Sequence, residues 1–246
     1  MRALYYNGVM DSGVTITVAG EDVNYPATNL TDRRLSRLYK PAAAASQWIK
    51  FSGVGVEVDC IAIAHSIPDN ATVTLEGNAI DDWSAPSVSE SLTSRGENDI
   101  YTHFFSKVAY DYWRLTIDAT TIFSIGGIHL GGHLVLPEQS LGGTIEDHDT
   151  SIRKISKSGQ VYGTEQYQYR TEKHKIPLIS HTQRAEMRVF WDEVGRSQPF
   201  YFQRWATRPD LESPMYCVLD QDGFKWKGHR EDANKFETDI SIREVF

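Results

Sequence analysis

Few residues in this chain combine the type and spacing that chemistry needs. Trp83 follows Asp81 and Asp82 in a polar stretch that runs from residue 81 to residue 99. An aromatic ring in such a loop can stack on a sugar, with Asp82 as a neighbouring contact. A loop anchor folded back on its own domain is the preferred reading, because long loops pack by their own side chains. In HLGGH, His129 and His133 stand four apart, the spacing at which a helix sets two zinc ligands on one face. The two intervening glycines argue against a helix, so the pair is read as loop histidines at a domain edge and no metal site is assigned. EDHD (Glu146–Asp149) offers oxygen ligands but lacks the glycine and the distal glutamate of a calcium loop, so it is read as solvated linker.

Catalytic patterns are missing. SGQVYG and FSGVG do not form a nucleophile elbow, and neither a P-loop nor a G-x-G-x-x-G occurs. No catalytic residue and no cofactor are assigned, and the expectation is a protein that is not an enzyme. Cys60 and Cys217 lie far apart in the chain and are expected to be buried, reduced thiols.

Composition narrows the class. A length of 246 residues suffices for one large or two ordinary β domains. The formal net charge of −8 is uneven: residues 1–140 carry 9 basic and 16 acidic groups, and residues 141–246 carry 16 and 17. The first part is therefore unsuited to gripping nucleic acid through its phosphates. No apolar run is long enough for a membrane span, and MRALYYNGVM lacks the apolar core of a signal peptide. A protein made and folded in a cytoplasm is expected.

The elements that must position these residues are mostly strands. VTITV alternates, QWIKF is short and extended, VDCIAIAHS is apolar on both parities, and ATVTLEGNA alternates again. YTHFFS and YWRLTID are two further strands, and SIGGIHLGG comes near the end of the domain. The order YPATNLTDRRLS, QWIKFSG, VDCIAIAHS, ATVTLEGNA, YWRLTID, SIGGIHLGG resembles the galactose-binding-like (discoidin-type) β-sandwich, with Trp48 on an early strand and Trp113–Arg114 on a late one. Many modules of that family bind sugars and many are only structural, so the resemblance leaves function open.

A connector, residues 137–151, leads to the second domain. VYGTEQYQYR reads as a strand with two unlike faces, and KHKIPLIS as an extended piece whose Pro177 argues for a sheet edge. One helix is clear, at about residues 182–194. Ser180 and Gln183 can form a capping box, Met187, Phe190, Trp191 and Val194 make one apolar stripe, and Gly195 can end it. PFYFQRW, MYCVLD, FKWKGHR and ETDISIREV follow as strands. A lone helix with such a stripe belongs on a sheet.

This second order, in SIRKISKSGQVYG, FWDEVG, PFYFQRW and ETDISIREV, resembles the tube-like domain of bacteriophage tail proteins. The fold expected is mostly β, with two sandwich or barrel domains at 1–136 and 152–246, the second tail-tube-like with one flanking helix. The resemblance implies a structural component of a long-tailed phage tail tip, assembled in the host cytoplasm. It also implies a ring, expected to be a hexamer, whose partners are itself, the tail tube and baseplate hub proteins, with DNA only passing through the lumen. Ring contacts are expected at Tyr162, Tyr167, Tyr169, Phe200, Tyr201, Phe202 and Trp205, since strands with aromatics on both faces offer more apolar surface than one core needs. The alternative is a carbohydrate-binding module for attachment to host glycans, carried by Trp83 and its loop.

Overall fold

The computed structural model describes residues 1–10, 13–92, 99–137, 143–155, 157–158, 161–164, 166–204, 214–228, 232 and 234–245. Among the described residues the fold is mostly β with one α-helix, and no helix is long and apolar enough to cross a membrane. The chain forms two compact units.

The first unit is built from β1 (Arg2–Asn7), β2 (Thr15–Val18), β3 (Ser46–Ser52), β4 (Glu57–Ser66), β5 (Thr72–Asn78), β6 (Val88–Leu92), β7 (Asp99–Ala109), β8 (Tyr112–Asp118) and β9 (Ser124–Val135). One sheet runs β2-β3-β8-β5-β6, and in the other β1, β9, β4 and β7 lie side by side in that order. The two sheets make a sandwich. Ile49, Phe51, Trp113, Leu115, Val73 and Leu75 come from the first sheet, and Val58, Ile61, Ile63, Ile128 and Leu130 from the second, into one buried core. Period-two alternation in β3, β5 and β8 follows from this one-sided burial. β4 is buried from Val58 to His65, as its unbroken apolar sequence requires.

The sequence reading needs three corrections in this unit or at its border. The polar stretch 81–99 is not all loop, because β6 pairs with β5 along its length. His129 and His133 lie in β9, not in a loop. The glycines beside them serve close packing: a Cβ at Gly131 would run into the Tyr6 carbonyl and one at Gly126 into that of Leu35. The connector 137–151 contains a strand, β10 (Thr144–Asp149), which pairs with a later strand from Lys173 back to Gln168. Its solvated EDHD is thus a strand with exposed carboxylates.

The chain continues with β11 (Ile152–Ile155), β12 (Val161–Thr164), β13 (Gln168–Ile179), α1 (His181–Val194), β14 (Phe200–Gln203), β15 (Met215–Leu219), β16 (Lys227–Gly228) and β17 (Phe236–Glu244), and all but most of β14 and the start of β15 belong to the second unit. β10-β13-β17-β15 are neighbours in that order, β16 adds to β17, and β11 and β12 form a separate hairpin. VYGTEQYQYR is therefore two strands rather than one. Pro177 lies in the irregular step between Ile176 and Ile179 of β13, where the ladder to β17 breaks, and Leu178 takes a φ of 56°. Beyond Lys173 β13 pairs only with β17 among the described residues, so Pro177 sits on an open edge as the sequence led one to expect, and the bulge takes up its missing N–H.

The helix follows the sequence closely. The Ser180 hydroxyl accepts from the Gln183 N–H and the Gln183 side chain accepts from the Ser180 N–H, closing the capping box. Gly195 ends α1 at φ 54°, with its N–H on the Trp191 carbonyl. Met187, Phe190 and Val194 are buried, and the ring of Phe190 meets Phe200 edge-on at 5.1 Å. Tyr201, Phe202 and Gln203 of β14 pair with β1 and group with the sandwich.

Candidate functional site

The outer face of the β2-β3-β8-β5-β6 sheet carries the densest set of aromatic and charged groups near the predicted sugar contact. Strand parity selects its members. Ile49, Phe51, Trp113, Leu115 and Leu75 turn inward, so Trp48, Lys50, Arg114 and Glu76 take the opposite parity. Register then lines up Lys50, Arg114 and Glu76 on three adjacent strands.

Arg114 donates through Nε to Glu76 Oε2 at 2.7 Å, and a second guanidinium nitrogen reaches the same oxygen at 2.7 Å. Lys50 Nζ donates to both oxygens of Asp81, at 3.0 and 3.1 Å, and lies 5.1 Å from the Trp48 ring. Trp83 donates its indole N–H to Asp81 at 2.6 Å, and the Arg114 guanidinium stacks 4.7 Å from the Trp83 ring centre. Trp48, Lys50, Asp81, Trp83, Arg114 and Glu76 thus form one continuous chain of contacts.

The loop that delivers Trp83 is tied at its base. Asn78 donates to the Asp82 carbonyl at 2.6 Å and accepts from the Ser87 hydroxyl at 2.9 Å. Asp82 caps the Ser84 N–H at 3.0 Å. The Lys50 ammonium, and then the Trp83 N–H, hold the Asp81 carboxyl below the usual carboxylate range. Asp82 is lowered mainly by the Ser84 backbone N–H. Both carboxylates are fully ionised at neutral pH and act as acceptors. Chemically the face offers two half-buried indole rings, each backed by a cation, with fixed donors and acceptors between them. That suits binding of a neutral polyol with one apolar face.

Of the two predicted sugar contacts, Trp83 lies on this face through Asp81 and Arg114, whereas Asp82 is engaged within the loop by Ser84 and Asn78. Trp48, Lys50, Glu76 and Arg114 were not assigned to a site from the sequence, although their shared outward parity carried the signal.

The predicted ring contacts divide. Phe200, Tyr201 and Phe202 are corrected: they are only 2%, 4% and 2% exposed, because β14 is covered on both faces. Tyr167 is 62% exposed and lies 5.8 Å from Tyr169, whose ring stacks on His148 at 4.7 Å. Tyr162 lies in β12 opposite Lys154, and Trp205 falls outside the described residues. Cys60 and Cys217 are buried free thiols.

No protein family's profile matches the chain, and no curated protein matches it. Solved structures to which the chain is similar include carbohydrate-binding modules and a Ruminococcus gnavus GH29 fucosidase. One is chitosan-binding module 1 of a chitosanase/glucanase from Paenibacillus sp. IK-5, 16% identical, TM-score 0.41, covering 52% of this chain and 99% of that one. Another is a family 32 module from C. perfringens in complex with galactose, 14% identical, TM-score 0.42, covering 54% and 99%. A third is a Streptococcus pneumoniae fucose-binding module, 10% identical, TM-score 0.42, covering 52% and 95%. At these identities and scores the likeness carries no ligand across to this chain.

Proposed function

We propose that this protein is a carbohydrate-binding attachment module that works by recognition and not by catalysis, with its glycan contact on the outer face around Trp83. The observation that carries this reading is the shared anchoring of Trp83 and Lys50 on Asp81. It holds an indole ring on the protein surface without further ordering on binding. A pyranose can lay its C–H face on a tryptophan while its hydroxyls meet Asp81 and the two cations. A glycan array probed with the purified chain, followed by calorimetric titration of any hit, tests this. Binding that is lost in Trp83→Ala supports the reading; an array without preference sinks it.

A second reading is a ring-forming structural component of a long-tailed phage tail tip. Tyr167 supports it by its exposure, as does β10, a strand at the end of its sheet order with nearly every side chain exposed. Light scattering with negative-stain imaging tests it. Rings that Tyr167→Asp abolishes without unfolding the chain support assembly through this surface, and a strict monomer removes it. The two readings are compatible in one host-attachment protein.

A further inference from the structure

Away from the Trp83 face, the first unit brings together a mixed set of metal-binding donors. Asp59, Cys60 and His133 each offer one ligand atom, and these atoms lie within 4.8 Å of one another. Asp59 and Cys60 are chain neighbours, which in a regular strand point to opposite faces. Here Val58 and Ile61 both enter the sandwich core, so the alternation of β4 slips between them. The two residues in between come together on the other side. On β9, Ile128 and Leu130 take the core side, and His133 stands on the opposite parity.

Asp59 Oδ1 lies 2.7 Å from His133 Nδ1, and the Cys60 thiol donates to the Gly131 carbonyl at 3.2 Å. The Phe104 ring meets His133 edge-on at 4.8 Å, and the Arg2 guanidinium lies 3.8 Å from the centre of that ring. His129, on the same parity of β9 as His133, is 2% exposed, and its Nε2 has no hydrogen-bond partner. A buried imidazole nitrogen in that state is costly unless something engages it.

We propose that Asp59, Cys60 and His133 form a binding site for a single thiophilic divalent cation, with Zn²⁺ the best match. One carboxylate, one thiolate and one imidazole are a donor set that zinc accepts, whereas Mg²⁺ and Ca²⁺ call for oxygen shells. Ligand bonds of about 2.0–2.3 Å place tetrahedral ligand atoms roughly 3.3–3.8 Å apart, so the present spread closes with small side-chain rotations. On binding, the Cys60 S–H bond breaks and its proton leaves to solvent as the S–metal bond forms. The proton that His133 Nδ1 holds towards Asp59 passes through solvent to Nε2, and the Asp59–His133 contact gives way to two bonds to the ion. The carboxylate and thiolate together neutralise the two positive charges, and a fourth position is left for water.

The test uses the full chain without a histidine tag. Co²⁺ is titrated in while absorbance is followed for thiolate-to-metal charge transfer, and Zn²⁺ is then added as competitor. The expected result is one Co²⁺ per chain with a charge-transfer band that Zn²⁺ displaces. Cys60→Ser abolishes the band, Cys217→Ser leaves it, and His133→Gln weakens Zn²⁺ binding by about 10-fold or more. Circular dichroism confirms that each variant is folded; if Asp59→Asn fails to fold, Cys60→Ser and His133→Gln decide the matter. Absence of a band in the folded wild-type chain overturns the site, and so does a band that survives Cys60→Ser.

Discussion

Gly77 of β5 lies directly opposite Trp113 of β8, and a Cβ at Gly77 would meet Trp113 Cζ3 at 2.9 Å. The indole fills the place where a side chain would stand. Trp113 is fully buried and its N–H donates to the Tyr110 carbonyl at 3.0 Å, so the ring has little room to move aside. Gly77→Ala should therefore destabilise the protein by about 1–3 kcal/mol through overpacking. Urea unfolding checks this, and an unchanged midpoint would refute the face-on packing.

On the other side of the same sheet, the Trp83 platform should matter for binding, while the chain still folds without it. Trp83→Ala is expected to weaken binding to a glycan found on the array by at least 10-fold, about 1.4 kcal/mol. Its effect on unfolding should be about 1–2 kcal/mol, from the lost Asp81 hydrogen bond and Arg114 stack, with the chain still folded. Asp81→Ala frees both Lys50 and the Trp83 N–H and should weaken binding in the same direction. Calorimetric titration and thermal melts measure the two quantities separately.

The capping box of α1 gives a cleaner stability test. Ser180→Ala removes the acceptor for the Gln183 N–H and should cost about 1 kcal/mol. Hydrogen exchange should show the loss concentrated in the first turn of α1.

Acid should destabilise the sandwich through its buried histidines. His65 Nδ1 accepts from the Ile67 N–H at 3.0 Å, a bond that only the unprotonated nitrogen can accept. Burial lowers the affinity of His65 for a proton, against the opposing pull of Asp99 and Asp69. Burial likewise brings His129 down to about 3. In the unfolded chain both rings titrate near 6.5. Below that pH the unfolded state holds protons that the native state refuses, so stability is complete above pH 6.5 and falls as the pH drops. His65→Asn keeps an acceptor but cannot titrate. It should reduce the slope of unfolding free energy below pH 6.5 by up to about 1.4 kcal/mol per pH unit. Urea melts at successive pH values measure that slope.

The sequence carried β3, β5, β8 and the helix because each buries one side only, and β4 because its apolar run is unbroken. QWIKF, ATVTLEGNA and YWRLTID alternate against a single core, and the Ser180–Gln183 pair marks a helix start by local chemistry alone. Other elements covered on both faces were harder. Phe200, Tyr201 and Phe202 look like surplus apolar surface until β14 is seen buried on each side. Gly131 and Gly132 look like a turn until the nearness of the Tyr6 carbonyl to Gly131 explains one of them. The Asp59–Cys60–His133 set depends on a slip in strand alternation and on pairing between distant segments. Local spacing holds neither. The outer face around Trp83 lay within reach, since strand parity alone groups Trp48 with Lys50, but joining them to Asp81 required the fold of the loop.

Glu146, Asp147 and Asp149 line β10, the strand at the end of its sheet order. Two copies meeting edge to edge about a two-fold axis would set carboxylates against carboxylates, and the repulsion would rise as salt is withdrawn. The strand therefore rejects its own likeness. Anything that extends the sheet here is favoured by neutral or cationic side chains facing this row of carboxylates.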